Sequence, residues 1–213
     1  MKALLAGAAA LVLLLGAARA RADFPDPPVD PAEKGTRTAV FAGGCFWGVE
    51  AVFERLAGVQ EVVSGYSGGE AKTAHYEVVG TGRTGHAESV RVIYDASRVS
   101  YGTLLKVFFS VAHDPTQFNF QGPDYGTQYR SAIFYADAAQ RRVAEEYIRS
   151  LDKGRVYGKK IVTQLSPLEA FYPAEDYHQD YLRQHPTQPY IMMWDLPKIA
   201  ALEKEYPQLL EKR

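Results

Sequence analysis

One cysteine, Cys45, is all the thiol the 213-residue chain contains, so no disulfide can form within it. Charge of either sign is equally short of an excess, with 24 Lys and Arg against 25 Asp and Glu. That near balance gives no electrostatic reason to expect nucleic acid or an anionic membrane as a partner. The apolar run at the start is shorter than the ~20 residues needed to cross a bilayer. No internal repeat or low-complexity core is visible, which argues against a solenoid or propeller. What remains is ordinary: 46% hydrophobic and 23% charged residues, the composition of one soluble domain with a single sizeable core.

The opening residues, MKALLAGAAALVLLLGAARARA, place a short positive start before an apolar stretch ending in two overlapping A-x-A sites, Ala18-Arg19-Ala20 and Ala20-Arg21-Ala22. That pattern reads as a secretory signal peptide over residues 1–22, cleaved to release a periplasmic or secreted protein with no stable membrane insertion. Its removal takes away Lys2, Arg19 and Arg21 and leaves a mildly acidic mature chain. Residues 23–35, DFPDPPVDPAEKG, carry four prolines and are expected to be an extended tether, with one domain, including a C-terminal tail, filling residues 36–213. Export sharpens the question of the cysteine. A lone thiol in an oxidising compartment is either buried and inert or reactive and functional.

Thr38 to Phe41 reads as a buried strand that Gly43-Gly44 break, and Val49, Val52, Phe53 and Leu56 then recur at helical spacing up to Gly58. Strands are expected over Val59–Tyr66 and His86–Tyr94, separated by a glycine-rich loop too long for a simple connection. Ser100 is placed to cap a helix running to Val111, and Asp137 one ending near Gly154, with the strand RSAIFYA between them. A further strand over residues 159–166, a short helix from Pro173 to Arg183, and a tail helix packed by Leu196, Ile199, Leu202 and Leu209 complete the reading. The order strand, helix, strand, strand, helix, strand implies an α+β two-layer sandwich: a ferredoxin-like split β-α-β core with a mixed sheet and an extended C-terminal tail.

In AGGCFWG, Cys45 falls where a strand ends and a helix begins, near unpaired N–H groups and the positive end of a helix dipole. That setting favours thiolate by only about 0.3–1 kcal/mol, so a thiol with an ordinary pKa of about 8.5 is not ionised by it alone. A small buried hydrophobe is the other reading of such a cysteine. Polar groups on the irregular loops shift the weight towards chemistry: Tyr76 in HYEVV, His86 and Glu88 in GHAE, and Asp124 and Tyr129 in GPDYGTQYR. Glu88 begins a strand beside glycine-rich loops, where a carboxyl reaches a cleft and its pKa rises.

The segments GCFWG, GYSGG, TGHAE, HDP, GTQYRS and AEDYHQDYL, in that order, resemble the type A peptide methionine sulfoxide reductases from about residue 38 to about residue 185. The resemblance implies that Cys45 is the nucleophile and Glu88 the acid. It places Tyr76, Asp124 and Tyr129 around the sulfoxide oxygen, and Phe46 and Trp47 against the substrate methyl group. It further implies reduction of the S epimer of methionine sulfoxide, free or in proteins, and hence protein repair. The chemistry is consistent with those residues. A sulfoxide needs hydrogen-bond donors on one side and an apolar wall on the other, and its oxygen must take up protons while thiolate attacks sulfur. Glu88 therefore has to be held protonated by desolvation, and Cys45 and Glu88 should titrate as a coupled pair.

Many members of that family carry further cysteines in the C-terminal tail that resolve the oxidised nucleophile; this chain has none. Cys45 is then left as sulfenic acid, to be recycled by an external thiol through a mixed disulfide: a thioredoxin, a glutaredoxin or a small thiol. No bound cofactor or metal is implied, and a monomer is expected. His178 and His185 are read as orienting the tail or capping helices. Three other readings stay open on residue types alone: a cysteine hydrolase or acyltransferase pairing Cys45 with His86 or His178, a metal site from His86, Glu88 and His113, and an exported module whose aromatics grip apolar peptides.

Overall fold

The computed structural model describes residues 24–211, and the expected signal peptide lies outside them. In chain order the regular elements are β1 (Thr36–Gly43), α1 (Phe46–Phe53), β2 (Val59–Ser67), α2 (Tyr76–Val79), β3 (Ala87–Asp95), α3 (Tyr101–Val107), β4 (Phe120–Gln121), β5 (Asp124–Tyr125), β6 (Ser131–Tyr135), α4 (Ala138–Lys153), β7 (Gln164–Pro167), β8 (Phe171–Pro173), α5 (Tyr181–Gln184) and α6 (Leu196–Glu205). Six strands form one sheet in the order β7-β6-β1-β3-β2-β8, and β4 pairs with β5 in a separate hairpin. Its four central strands, β6-β1-β3-β2, are antiparallel, while β7 joins β6 in parallel. This is the expected split β-α-β core within a mixed sheet.

The two-residue period of a strand divides the sheet into two faces. Val40, Ala42, Ala87, Ala132 and Phe134 make a small cluster on one face. Phe41, Val90, Val92, Tyr94 and Ile133 join the main core with Val49, Val52 and Phe53 of α1, Leu104 and Leu105 of α3, and Tyr147 of α4. Phe41 stacks on Phe53 and Phe108 at centroid separations of 5.2 and 5.0 Å, and all three rings are buried. Each such ring contributes roughly 1.5–3 kcal/mol by burial. Glu88 shares the parity of Val90, Val92 and Tyr94, so its position faces the helices. Because β1 and β3 run antiparallel, the end of β1 and the start of β3 share one edge, and that brings Cys45 beside Glu88.

The caps behave as the sequence predicts. Ser100 Oγ accepts from Thr103 N–H at 3.0 Å, and Asp137 Oδ1 accepts from Gln140 N–H at 2.8 Å. Four expectations need correction. Helix α1 stops at Phe53, and Leu56 instead bridges to Leu210. The strand expected over 159–166 starts only at Gln164, where pairing to β6 begins. Residues 173–183 are not one helix: Pro173 closes β8, and the Gln179 amide copies a strand by accepting from Ser64 N–H at 2.9 Å and donating to Ser64 O at 3.0 Å. Leu196 lies exposed, whereas Ile199 and Leu202 pack inward. The proline-rich segment is extended but not free. Phe24 is buried, Pro25 O accepts from Tyr147 Oη at 2.6 Å, and Asp30 Oδ1 accepts from Gly102 N–H at 2.9 Å.

Candidate active site

Gly44 turns the chain out of β1 with φ +92°, and a Cβ there would lie 2.6 Å from Gln121 Cβ. Glycine is thus required for both conformation and space. The turn delivers Cys45 to the N-cap of α1, buried at 8% exposure. One residue on, Phe46 N–H donates to Glu88 Oε2 at 3.1 Å. The carboxyl of β3 therefore sits on the positive end of α1 next to the thiol.

A cavity of about 240 Å³ opens over this pair, lined by Cys45, Phe46, Trp47, Tyr76, Glu88, Asp124, Tyr129, Gln188 and Tyr190. All seven residues named from the sequence meet there. The buried floor is Cys45, Phe46 and Glu88, and the half-buried walls are Trp47 from α1, Tyr76 from α2, Asp124 from β5, Tyr129 from the turn before β6, and Gln188 and Tyr190 from the tail. Tyr76 is anchored by Glu175, whose carboxylate accepts from Tyr76 N–H and from Tyr66 Oη, both at 2.9 Å. Asp124 projects from the β4-β5 hairpin and is hydrogen-bonded by Tyr190 Oη. A larger surface groove of about 880 Å³, lined by Glu50, Glu54, Asp180 and Arg183 among others, contains no thiol.

Two cavity residues, Gln188 and Tyr190, were missed in the sequence, as was the support behind Trp47. Its indole Nε1–H donates to His178 Nδ1 at 3.2 Å, and its face stacks on Tyr181 at 3.8 Å. The density of tyrosine and glutamine in residues 181–190 was the available signal, since an idle tail has no need of them. His178 thus orients an aromatic wall. The other histidines point elsewhere: the His86 ring is hydrogen-bonded to Glu70 O, and the His113 ring to Phe108 O and Ser131 Oγ. Among the described residues, His86, Glu88 and His113 do not converge into a metal-binding group.

Burial dominates the electrostatics. It raises Glu88 to about 8, with the Asp124 carboxylate adding and the Phe46 N–H opposing. It also raises the Cys45 thiol, helped by Glu88 and Asp195 and opposed by the Trp47 N–H and Lys198. The bias towards thiolate expected from the helix end is therefore overridden by desolvation. Burial pushes Tyr76 up to about 12 and Tyr129 and Tyr190 up as well, so these hydroxyls remain donors at neutral pH.

A neutral acid and phenol donors opposite an aromatic wall, with a thiol between them, suit a polar S=O carrying an apolar methyl, the requirement of a thiol-dependent sulfoxide reductase. Comparison with known proteins narrows the class. The model of the peptide methionine sulfoxide reductase family matches residues 37–210. A peptide methionine sulfoxide reductase MsrA 2 from Mesorhizobium japonicum is 56% identical over 184 residues, covering 86% of this chain and 94% of that protein. One of the same name from Synechocystis is 50% identical over 193 residues, covering 88% and 90%. Among solved structures, methionine sulfoxide reductase A of Corynebacterium diphtheriae superposes with a TM-score of 0.64 at 37% identity, covering 73% of this chain and 78% of that one. The chain belongs to the peptide methionine sulfoxide reductase family, type A, and its activity is the reduction of methionine sulfoxide in the repair of oxidised proteins. The hydrolase, acyltransferase and binding-module readings are not favoured.

Proposed function

We propose that Cys45 is the nucleophile, Glu88 the proton donor, Tyr76, Asp124 and Tyr129 the partners of the sulfoxide oxygen, and Phe46 and Trp47 the methyl wall, acting on the S epimer. Cys45 sulfur attacks the sulfoxide sulfur as thiolate while the oxygen takes the Glu88 proton. Oxygen then passes to Cys45 and its bond to the substrate sulfur breaks. Methionine leaves reduced by two electrons, and Cys45, oxidised by two, becomes sulfenic acid. The observation that carries the reading is the Phe46 N–H to Glu88 Oε2 contact of 3.1 Å, which seats the carboxyl beside the thiol.

With no second cysteine, one external thiol condenses with the sulfenic acid, releasing water and forming a mixed disulfide. A second thiol displaces Cys45 as thiol. A thioredoxin, a glutaredoxin or a small thiol fits this step. We take the protein to work as a monomer. It is exported after cleavage near residue 22, supported by the A-x-A sites and checked by the amino-terminal sequence of the mature protein.

The deciding experiment treats the protein with each separated sulfoxide epimer, without reductant, and weighs the product. One added oxygen on Cys45 from the S epimer alone is the expected result. No oxygen from either epimer, or a disulfide-linked dimer as the main product, would overturn the scheme.

A further inference from the structure

The glycine that closes GCFWG has no unusual backbone angle; what it supplies is room. A Cβ on Gly48 would lie 2.0 Å from Asp195 Oδ1 and 2.9 Å from Lys198 Nζ. These two tail side chains therefore fill a slot against the first turn of α1, the turn that Cys45 caps. Lys198 Nζ pairs with Asp195 Oδ1 at 3.0 Å, the Asp195 side chain is fully buried, and that of Lys198 is 23% exposed. Asp195 Oδ2 is buried with no hydrogen-bond partner. A carboxylate in such a place is stable only when a cation and a helix N-terminus offset its charge. The same negative charge opposes a thiolate forming one turn away.

We propose that Lys198 and Asp195 are positioning residues that set the charge balance at Cys45, the ammonium favouring the thiolate and the carboxylate both holding the ammonium in the Gly48 slot and limiting its effect. The inference rests on reading Cys45 as the nucleophile. The directions agree: Asp195 raises the thiol and Lys198 lowers it, and Lys198 also lowers Asp124 on the opposite wall of the cavity. The other ionisable groups facing Cys45 are Glu88 from β3, Tyr76 from α2, Asp124 from β5, Tyr129 from the turn before β6, and Tyr190 from the tail. At neutral pH Glu88 and the phenols are held uncharged by burial. Burial raises Asp195 and Asp124 as well and the Lys198 ammonium opposes both shifts, which leaves the Lys198–Asp195 pair as the charges acting on the sulfur.

The single cysteine makes the test clean, because iodoacetamide can alkylate no other thiol in the full chain. Alkylation rate against pH is measured for wild type, Lys198→Met, Lys198→Arg, Asp195→Asn and the double variant Asp195→Asn/Lys198→Met, each checked for folding by circular dichroism. Lys198→Met should move the midpoint to higher pH and slow alkylation at pH 7 by about tenfold, the effect of one pKa unit. Asp195→Asn should move it to lower pH, Lys198→Arg should keep the wild-type profile, and the double variant should return towards it. A folded Lys198→Met with an unmoved midpoint overturns the proposal, as does movement in the same direction for Lys198→Met and Asp195→Asn. Should Asp195→Asn not fold, the two Lys198 variants decide alone. Turnover of Cys45→Ser separates the two readings: full activity there would remove Cys45 as nucleophile while leaving the alkylation result standing.

Discussion

The indole of Trp47 donates to Nδ1 of His178 at 3.2 Å, joining the first turn of α1 to a segment 131 residues away. The His178 ring also lies 5.1 Å from the Phe46 ring and 4.4 Å from that of Tyr76, so one buried histidine braces three cavity residues. With Nδ1 committed as acceptor and its charged form disfavoured by burial, His178 is a brace, not a base. His178→Ala should raise KM for a peptide sulfoxide by about tenfold, about 1.4 kcal/mol of lost binding, with a smaller change in kcat. Steady-state kinetics showing both constants unchanged would contradict that role.

Glu88, raised to about 8 by burial, carries its proton at neutral pH and loses it above that value. The single-turnover rate should therefore rise with pH to about 8 and level off above it, because the thiol is held higher still and each further gain in thiolate is matched by a loss of the proton donor. Glu88→Gln keeps a hydrogen-bond donor without a transferable proton. It should bind substrate nearly as well, react at least about a hundredfold more slowly, and keep rising with pH above 8, where the wild type levels off. Rapid-quench measurement of both proteins across pH 6 to 10 checks this, and an unchanged rate in the variant would remove Glu88 as the acid.

The docked amino-terminal arm makes a separate prediction about stability. Asp30 accepts from Gly102 N–H at 2.9 Å and from the Ser100 hydroxyl, reinforcing the cap of α3 from outside the helix. Asp30→Ala should cost about 1 kcal/mol, the usual value of a lost cap, and lower the melting temperature without altering the pH profile of turnover. A melting temperature equal to wild type would mean that the Asp30 contacts contribute nothing.

Legibility in the sequence followed the range of the interactions. The thiol at a strand-to-helix junction was readable because Gly43 and Gly44 end a β-branched run just before helical spacing begins, and both signals are local. Glu88 was readable as a cleft carboxyl from its place at a strand start. Tyr76, Asp124 and Tyr129 lie in a one-turn helix, a two-residue strand and a tight turn, all too short to carry a periodicity, and only the resemblance assigned them roles. Gln188 and Tyr190 were missed because their segment reaches the cavity through contacts far apart in sequence, such as Tyr190 to Asp124. The helix expected after Pro173 failed for a related reason: Glu175 and Gln179 spend their side chains on the Tyr66 hydroxyl and on the Tyr76 and Ser64 backbone groups, an option helical propensity does not register.

Glu50, on the same helix as the thiol, should make the protein less stable as pH rises. Its side chain is buried, Oε2 accepts from Asp180 N–H at 3.1 Å, and burial raises its pKa from 4.5 to about 8, with Glu54 adding. The folded state thus holds a proton that the unfolded chain releases near pH 4.5. Below that pH both states are protonated and the linkage vanishes; between about 4.5 and 8 stability falls by about 1.4 kcal/mol for each pH unit per such group; above 8 the full loss has been incurred. Glu88 adds a second contribution of the same sign. Glu50→Gln keeps an acceptor for Asp180 N–H and carries no charge at any pH, so it should remove about one proton from the slope and stabilise the fold at pH 8 while changing little at pH 4.5. Urea unfolding at a series of pH values measures that slope directly, and a variant as pH-sensitive as wild type would show that Glu50 is ionised in the folded protein.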